Sequence, residues 1–174
     1  GLAVLQAFSA QRNSMTLAEV QQAPQHPFTG KVFGQGFSQS TYWIRLRIDP
    51  GLSLKQTNTD NLVIRIRPPF QDQIWLYDPL AKRDQVQATG DFFDWEQDEY
   101  RSLNLNLLVP LGAQPRDIWL KLKTTSSTMT LIEVVSEDEA RALAVSLVDA
   151  AEACDALSRR LYADSKPRKA IATI

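Results

Sequence analysis

At 174 residues, with 44% hydrophobic and 22% charged residues, the chain has the composition of a globular protein that buries its own core, which excludes a disordered segment. Its formal net charge of −1 excludes a general attraction to nucleic acid, and we expect no nucleic-acid partner. A single cysteine excludes an intrachain disulfide framework, and no apolar run reaches the roughly 18 to 20 residues that span a bilayer.

The N-terminal region contains an apolar segment followed by a helix signal. Residues 1–10, GLAVLQAFSA, have the small and apolar residues of a signal-peptide remnant, and a remnant of cloning explains them equally well. We therefore expect residues 1–14 to be a lead-in outside the domain. Thr16 is a predicted N-cap with Glu19 as its capping-box partner, so a short helix is expected over residues 15–22.

Short alternating runs dominate the next hundred or so residues. They predict strands at 42–48, 62–67, 73–77, 85–88, 102–109, 117–124 and 128–135, with a further short strand near 31–33. Turn signals such as Asp49-Pro50-Gly51 separate them, and no helical pattern intervenes. Many short strands without intervening helices indicate an all-β antiparallel sandwich or barrel.

The strands share one unusual feature, because their aliphatic residues alternate with aromatic rings or cations. Successive side chains of a strand point to opposite faces, so one face is predicted to collect Trp43, Arg45, Arg47, Arg65, Arg67, Trp75, Tyr77, Trp119, Lys121 and Lys123. Sugar rings stack on aromatic side chains, and cations bind hydroxyls or carboxylates, so this mixture favours a glycan, particularly an acidic one. The predicted ligand-binding residues are Trp43, Arg45, Arg65, Trp75, Tyr77, Trp119 and Lys121. Two alternatives remain, a solvated sheet face or rings that fill the core.

Catalytic and metal-binding chemistry finds little support in the sequence. The acidic residues Asp91, Asp94, Glu96, Asp98 and Glu99 fall in one predicted loop, without opposed carboxylates or a calcium-loop spacing. We expect a solvated turn in which Gly90 supplies a positive φ, with Asp91 and Asp94 as the candidate cation ligands. The only histidine, His26, has no zinc or triad partners, so no catalytic residue, metal or cofactor is expected.

The character of the chain changes at Ser136, which with Glu139 forms a second predicted capping box. An alanine- and leucine-rich helix is expected over residues 136–164, followed by a basic tail at 165–174 that leads toward a membrane. Heptad spacing relates Leu143, Leu147, Cys154, Leu157 and Leu161, which are the predicted dimerisation residues. The helix either pairs with a second protomer or packs on its own sandwich.

Three groups of residues resemble one protein family. These are Thr41-Tyr42-Trp43-Ile44-Arg45-Leu46, the segment Asp72-Gln73-Ile74-Trp75-Leu76-Tyr77, and Gly90-Asp91. Over residues 15–136 the chain is similar to 7TMR-DISM extracellular domain 2, a periplasmic sensor domain of bacterial receptors. The resemblance implies a jelly-roll-like antiparallel β-sandwich, similar to carbohydrate-binding modules, at residues 15–135. It also implies a parent receptor with a histidine kinase or diguanylate cyclase output.

These observations lead to one functional hypothesis and one alternative. The first is a non-catalytic periplasmic domain that senses a glycan or another small ligand and is tethered to the inner membrane through its C-terminal helix. The alternative is a protein-interaction or homodimerisation module of such a receptor, whose rings are interface anchors and which has no small-molecule ligand.

Overall fold

Antiparallel strands make up most of the computed structural model, which describes residues 2–6, 15–30, 32–50, 60–81, 86–93 and 104–144. Within these residues the strands are β1 Leu2–Gln6, β2 His26–Pro27, β3 Val32–Phe33, β4 Thr41–Ile48, β5 Asn61–Arg67, β6 Gln73–Tyr77, β7 Gln87–Thr89, β8 Leu105–Pro110, β9 Arg116–Lys123 and β10 Thr130–Ser136. Helix α1 spans Leu17–Gln22, and a second helix, α2, is described over residues 137–144.

The strands form two sheets. The order in the six-stranded sheet is β2-β1-β4-β9-β6-β7, and the order in the four-stranded sheet is β3-β10-β5-β8. From β3 onward the chain changes sheets at nearly every connection, so consecutive strands mostly lie in different layers of the sandwich. The predicted all-β sandwich with a C-terminal helix is confirmed.

The core lies between the two sheets and comes from the aliphatic positions of the alternating runs. In β4 the inward side chains include Ile44 and Leu46, in β5 they include Ile64 and Ile66, and in β9 they include Leu120. The residues between them point outward. Because side chains alternate along a strand, each strand has one apolar side, and the apolar sides of the two sheets face each other.

Both helices begin where the sequence predicts. The Thr16 side chain accepts a hydrogen bond from the Glu19 amide, and the Glu19 carboxylate accepts one from the Thr16 amide, so the predicted capping box is complete. At α2 the hydroxyl of Ser136 accepts a hydrogen bond from the Glu139 amide at 3.1 Å. In the described part of the chain, neither helix is long and apolar enough to cross a bilayer.

The N-terminal boundary requires a correction. Residues Leu2–Gln6, expected to be a lead-in outside the domain, form β1 and pair antiparallel with β4 from Leu2 opposite Leu46 to Gln6 opposite Tyr42. An unbroken apolar run suits a signal peptide and a strand equally well, and the sequence offered no turn signal to separate the two. The sandwich therefore includes residues on the N-terminal side of position 15.

Candidate functional site

The predicted shared face is divided between the two sheets, so the expectation of one face is wrong. Strands β4, β6 and β9 belong to the six-stranded sheet, whereas β5 belongs to the four-stranded sheet. Arg65 and Arg67 alternate with Ile64 and Ile66, which fill the core, so the two arginines point outward on the opposite side of the sandwich. Alternation shows which residues share one side of a strand, but it does not show which sheet the strand joins.

The remaining predicted residues meet on the outer surface of the six-stranded sheet. We call this surface the aromatic face and define it by Trp43, Arg45, Trp75, Tyr77, Trp119 and Lys121. Lys121 of β9 lies between Trp43 and Trp75, and Trp119 lies between Arg45 and Tyr77. Opposed residues on neighbouring strands have Cβ atoms about 4.5 to 5.5 Å apart, so these two rows form a continuous surface.

Helix α1 covers one half of the aromatic face. Its Val20 packs against Trp43 and Trp119, which are only 1% and 4% exposed, and Tyr77 borders the same cluster. The rings of Trp43 and Tyr77 lie 5.2 Å apart between centroids, and burial raises the pKa of the Tyr77 hydroxyl. The Nε1–H group of Trp43 has no acceptor in the described part of the chain. Two of the three predicted binding indoles therefore belong to a small core under α1.

The open half of the aromatic face consists of Trp75 and Lys121, and we include with it the adjoining Phe93 and Lys123. The Nζ atom of Lys121 lies 5.2 Å from the Trp75 ring centroid and 5.7 Å from that of Trp43. Phe93 meets Trp75 edge-on, with ring centroids 6.5 Å apart. Neither lysine has a carboxylate partner among the described residues. The rings hold the ammonium group of Lys121 in place without neutralising its charge.

Positive charge dominates the outward positions of β4, β6 and β9. Asp117 forms an ion pair with Arg47 at 3.2 Å and lies 3.9 Å from Arg45, but it is the one carboxylate against four cations at these positions. The two arginines share its charge, and the two lysines of the open half remain uncompensated by it. This surface is therefore suited to an anionic ligand.

The outer surface of the four-stranded sheet has a different arrangement. Glu133 of β10 binds Arg65 at 3.0 Å and Arg67 at 2.8 Å, so both arginines share one internal carboxylate. Next to this ion-pair cluster, Ala140 of α2 packs on Val63 and Val135. Arg65, predicted as a ligand-binding residue, is thus separated from the aromatic face and already has a carboxylate partner.

Asp72 lies at one end of the sandwich, just before β6, and fastens the loop that follows β9. Its carboxylate accepts hydrogen bonds from the Thr124 hydroxyl at 3.0 Å, the Thr125 hydroxyl at 2.7 Å and the Thr125 amide at 2.8 Å. Burial by itself raises the pKa of Asp72, but the bonds from Thr125 and Thr124 outweigh it and hold the pKa below its usual value. The buried carboxylate is therefore a structural anchor.

Gly90 and Asp91 close the same corner from the end of β7. The Asp91 amide donates to the carbonyl of Gln71 at 3.0 Å, and Gly90 has the predicted positive φ, at +140°. A Cβ atom at position 90 would lie 2.2 Å from the carbonyl oxygen of Asp72, so only glycine fits. Burial and the nearby charge of Asp72 raise the pKa of Asp91.

Comparison with known families identifies the sandwich. A family model described as 7TMR-DISM extracellular 2 matches residues 3–136. The chain belongs to this family. Its members are extracellular sensor domains of receptor kinases and cyclases. No curated protein matches the chain.

Two of the motifs that carried the family resemblance have structural roles in this 7TMR-DISM extracellular 2 domain. Asp72 and Gly90 hold the loops at one end of the sandwich together. The third motif contributes Trp43 and Arg45 to the aromatic face. The family match also begins at residue 3, which agrees with the inclusion of β1 in the sandwich.

The other predicted sites fall partly outside the described residues. Asp94, Leu147, Cys154, Leu157 and Leu161 lie outside them. The described residues contain no group of three or more His, Cys, Asp or Glu side chains arranged to hold a metal ion. Leu143 is described and is 38% exposed, although Ala140 of the same helix is buried. The first turns of α2 thus pack on the domain's own sandwich.

The sequence reasoning missed two features that matter for this site. Phe93, which packs on Trp75, was passed over because it lies next to the acidic loop rather than in an alternating run. The second feature is the ion pair between Asp78 and Arg116, which joins the end of β6 to the start of β9. The available signal for this ion pair was Arg116 itself, an isolated arginine directly after a proline-containing turn.

Proposed function

We propose that the chain is a non-catalytic, periplasmic ligand-sensing domain of an inner-membrane histidine kinase or diguanylate cyclase. Its ligand is a flat, anionic molecule of the acidic-saccharide class, and the binding surface is the open half of the aromatic face. The coarser function, an extracellular sensor domain of a signalling receptor, follows from the family.

The position of Lys121 is the observation that carries this proposal. Its ammonium group lies between the rings of Trp43 and Trp75, beside Lys123, and has no carboxylate partner among the described residues. A face that only met water would not need an indole in this position. A sugar ring stacked on Trp75 would place a carboxylate or sulfate within reach of both lysines, and charge-assisted hydrogen bonds of that kind are stronger than neutral ones.

Exposure limits the ligand to the open half. Trp43 and Trp119 are covered by α1, so stacking on the sandwich is available at Trp75 and at the edge of Phe93. One partly exposed indole among the described residues favours a short oligosaccharide or one terminal sugar over a long chain that needs several stacking platforms. Binding would then act on the receptor only if the ligand has different affinities for two states of the domain.

A thermal-shift screen tests the proposal with two matched probes, an oligogalacturonate trimer and neutral cellotriose. A ligand that binds only the folded state stabilises it in proportion to the logarithm of its concentration above Kd. We expect stabilisation by oligogalacturonate and a much smaller effect of cellotriose. Screening against a wider set of uronates and sulfated saccharides would identify the preferred anion.

Three variants locate the binding surface. Trp75→Ala and Lys121→Gln should each abolish the stabilisation by oligogalacturonate, whereas Arg67→Gln on the opposite face should leave it intact. Equal losses in Lys121→Gln and Arg67→Gln, with none in Trp75→Ala, would indicate a nonspecific charge effect and contradict a site at this face. The absence of any stabilisation across the acidic and neutral saccharides would contradict ligand binding on this face.

An interaction module is the second candidate, and the exposure of Leu143 favours it. This residue is 38% exposed on a helix whose heptad pattern continues beyond the described residues. A concentration-dependent dimer that Leu143→Ala weakens, in a protein that binds none of the saccharides, would support this function. The same dimer in a protein that does bind oligogalacturonate would make the two functions parts of one receptor.

A further inference from the structure

The aromatic face and helix α2 lie on opposite sheets, yet one continuous set of polar contacts joins them around the end of the sandwich. We propose that Asp78, Arg116, Asn61 and Glu137 form a polar chain that couples the six-stranded sheet to α2, with Arg116 as its central positioning residue. The coupling is a property of the fold, and its use in signalling rests on the proposed function.

The first half of the chain joins β6 to β9. Arg116 Nε and Nη2 donate to the two oxygens of Asp78 at 2.8 and 2.7 Å, and the side chains are only 10% and 1% exposed. A paired and buried guanidinium–carboxylate contact of this kind has a fixed geometry. Asp78 directly follows Tyr77, so a displacement of the aromatic face at Tyr77 reaches this ion pair through one peptide unit.

The second half passes from Arg116 to the four-stranded sheet. Arg116 Nη1 donates to the carbonyl of Leu111 at 2.8 Å, and Nη2 also donates to the carbonyl of Pro110. The Leu111 amide in turn donates to the carbonyl of Asp60 at 2.8 Å. Pro110 is also the ladder partner of Asn61 in the pairing of β8 with β5. Arg116 therefore fixes where β5 begins.

The last link reaches α2. Asn61 Nδ2 donates to Glu137 Oε2 at 2.9 Å, while Arg141 donates to the other oxygen of Glu137. The bonds from Asn61 and Arg141 lower the pKa of Glu137. One end of the helix is thereby tied to the first residue of β5.

Space around Arg116 is restricted on the side of the turn after β8. Gly112 has φ +73°, and a Cβ atom there would lie 2.9 Å from Arg116 Nη1 and 2.8 Å from a methyl group of Leu80. The turn therefore approaches the guanidinium closely, while the hydrogen bonds to Asp78 and the two carbonyls fix its position. A side chain fixed on all sides transmits a displacement, whereas a mobile one would absorb it.

In this proposal the responding element is helix α2, which is docked on the sandwich in the structure and would undock in a second state. Within its described residues the buried apolar contact is Ala140 on Val63 and Val135, and Leu143 is largely outside it. Among the described residues the apolar contact of the helix is small, and elements with few buried contacts open locally before the whole fold does. The hydrogen bond from Asn61 to Glu137 adds a polar contact to this part of the helix.

The test is a double-mutant cycle read by amide hydrogen exchange of residues 140–144 in the full chain without ligand. Arg116→Lys keeps the charge but loses the forked contact with Asp78. We expect it to lower the protection of these amides at least about fivefold, and to have little further effect in a Glu137→Gln background. The control is Arg67→Lys, because Arg67 lies on the sheet that carries α2 but does not belong to the polar chain. It should change the protection of these amides less than about twofold.

Two results would overturn the coupling. One is that the effects of Arg116→Lys and Glu137→Gln simply multiply, which is the behaviour of independent sites. The other is that Arg116→Lys lowers protection equally at all amides, which indicates global destabilisation. If Arg116→Lys does not fold, Asp78→Asn, which weakens the same ion pair from its other side, replaces it with the same expected loss at α2. Because no ligand is added, the cycle can succeed when oligogalacturonate binding fails, and the reverse is equally detectable.

Discussion

The outer surfaces of the two sheets carry the same alternating sequence pattern, but their cations have different partners. On the four-stranded sheet, Arg65 and Arg67 share the carboxylate of Glu133, so the positive charge is used inside the protein. On the six-stranded sheet, Lys121 and Lys123 have no such partner among the described residues, and Lys121 is held by aromatic rings instead. A strand of alternating cations is therefore not a binding site by itself. Whether its cations are available to a ligand depends on whether the neighbouring strand supplies a carboxylate partner.

Both surfaces also carry a helix, and the two helices sharpen the comparison. Helix α1 buries Trp43 and Trp119, while α2 contributes Ala140 to a smaller contact with Val63 and Val135. Because α1 buries two large rings, that half of the aromatic face stabilises the fold. The apolar contact under the described part of α2 is smaller.

The largest expected effect separates the two halves of the aromatic face. Trp43→Ala removes a fully buried indole and should reduce the free energy of unfolding by about 3–5 kcal/mol, because a cavity remains under α1. Trp75→Ala removes a half-exposed ring and should cost about 1 kcal/mol. Urea unfolding of both variants measures the difference. Equal losses would mean that α1 does not divide the face as described.

The second effect concerns the corner that anchors the six-stranded sheet. Asp72→Asn disrupts the acceptor of three hydrogen bonds and should cost about 1–3 kcal/mol at neutral pH. The pKa of Asp72 is lowered by folding, so its stabilisation is present above the unfolded-state pKa of about 3.9 and is lost as the pH falls through the folded-state value. Unfolding measured from pH 7 to pH 2 should show a shallower acid-induced loss in the variant. An identical acid profile in both proteins would contradict this role for Asp72.

A smaller effect tests the ion-pair cluster on the four-stranded sheet. Glu133→Gln leaves two arginines side by side, and Arg65 is only 15% exposed, so we expect a loss of about 1 kcal/mol. Added salt should reduce the difference between wild type and variant, because it screens the repulsion between the guanidinium groups. If Glu133→Gln leaves the free energy of unfolding unchanged, the ion-pair cluster does not stabilise the four-stranded sheet and the contrast between the two outer surfaces is lost.

The smallest effect on stability is expected on the open half of the aromatic face. Lys121→Gln removes a partly exposed cation that stabilises the fold only through its contacts with rings, so the free energy of unfolding should change by at most about 1 kcal/mol. The same substitution should remove oligogalacturonate binding. A large loss of stability would instead make Lys121 a structural residue.

Much of the sandwich could be predicted from the sequence, because alternation in β4, β5, β6 and β9 directly reports the inward and outward positions. The capping residues Thr16 and Ser136 likewise mark helix starts through local hydrogen bonds. Sheet membership could not be predicted in this way, since the partners of β5 are distant in sequence. This is why Arg65 was assigned to the wrong face.

The site was predicted less completely than the fold. The burial of Trp43 depends on where α1 docks, which is a tertiary event that strand periodicity does not encode. The apolar side chains of Leu17 and Val20 were the available signal for this burial, because the apolar side of an amphipathic helix packs against another apolar surface. The link from Arg116 to Asn61 and Glu137 likewise depends on three loops that meet only in the folded protein.

The most direct test of the central claim is an NMR titration of the tryptophan indole N–H groups with the oligogalacturonate trimer. The chain has four tryptophans, so each signal can be assigned by single substitution. We expect the Trp75 signal to shift progressively while the Trp43 and Trp119 signals, protected by α1, shift far less. A saturating shift confined to Trp43 and Trp119, or no shift of Trp75 at any concentration, would contradict it.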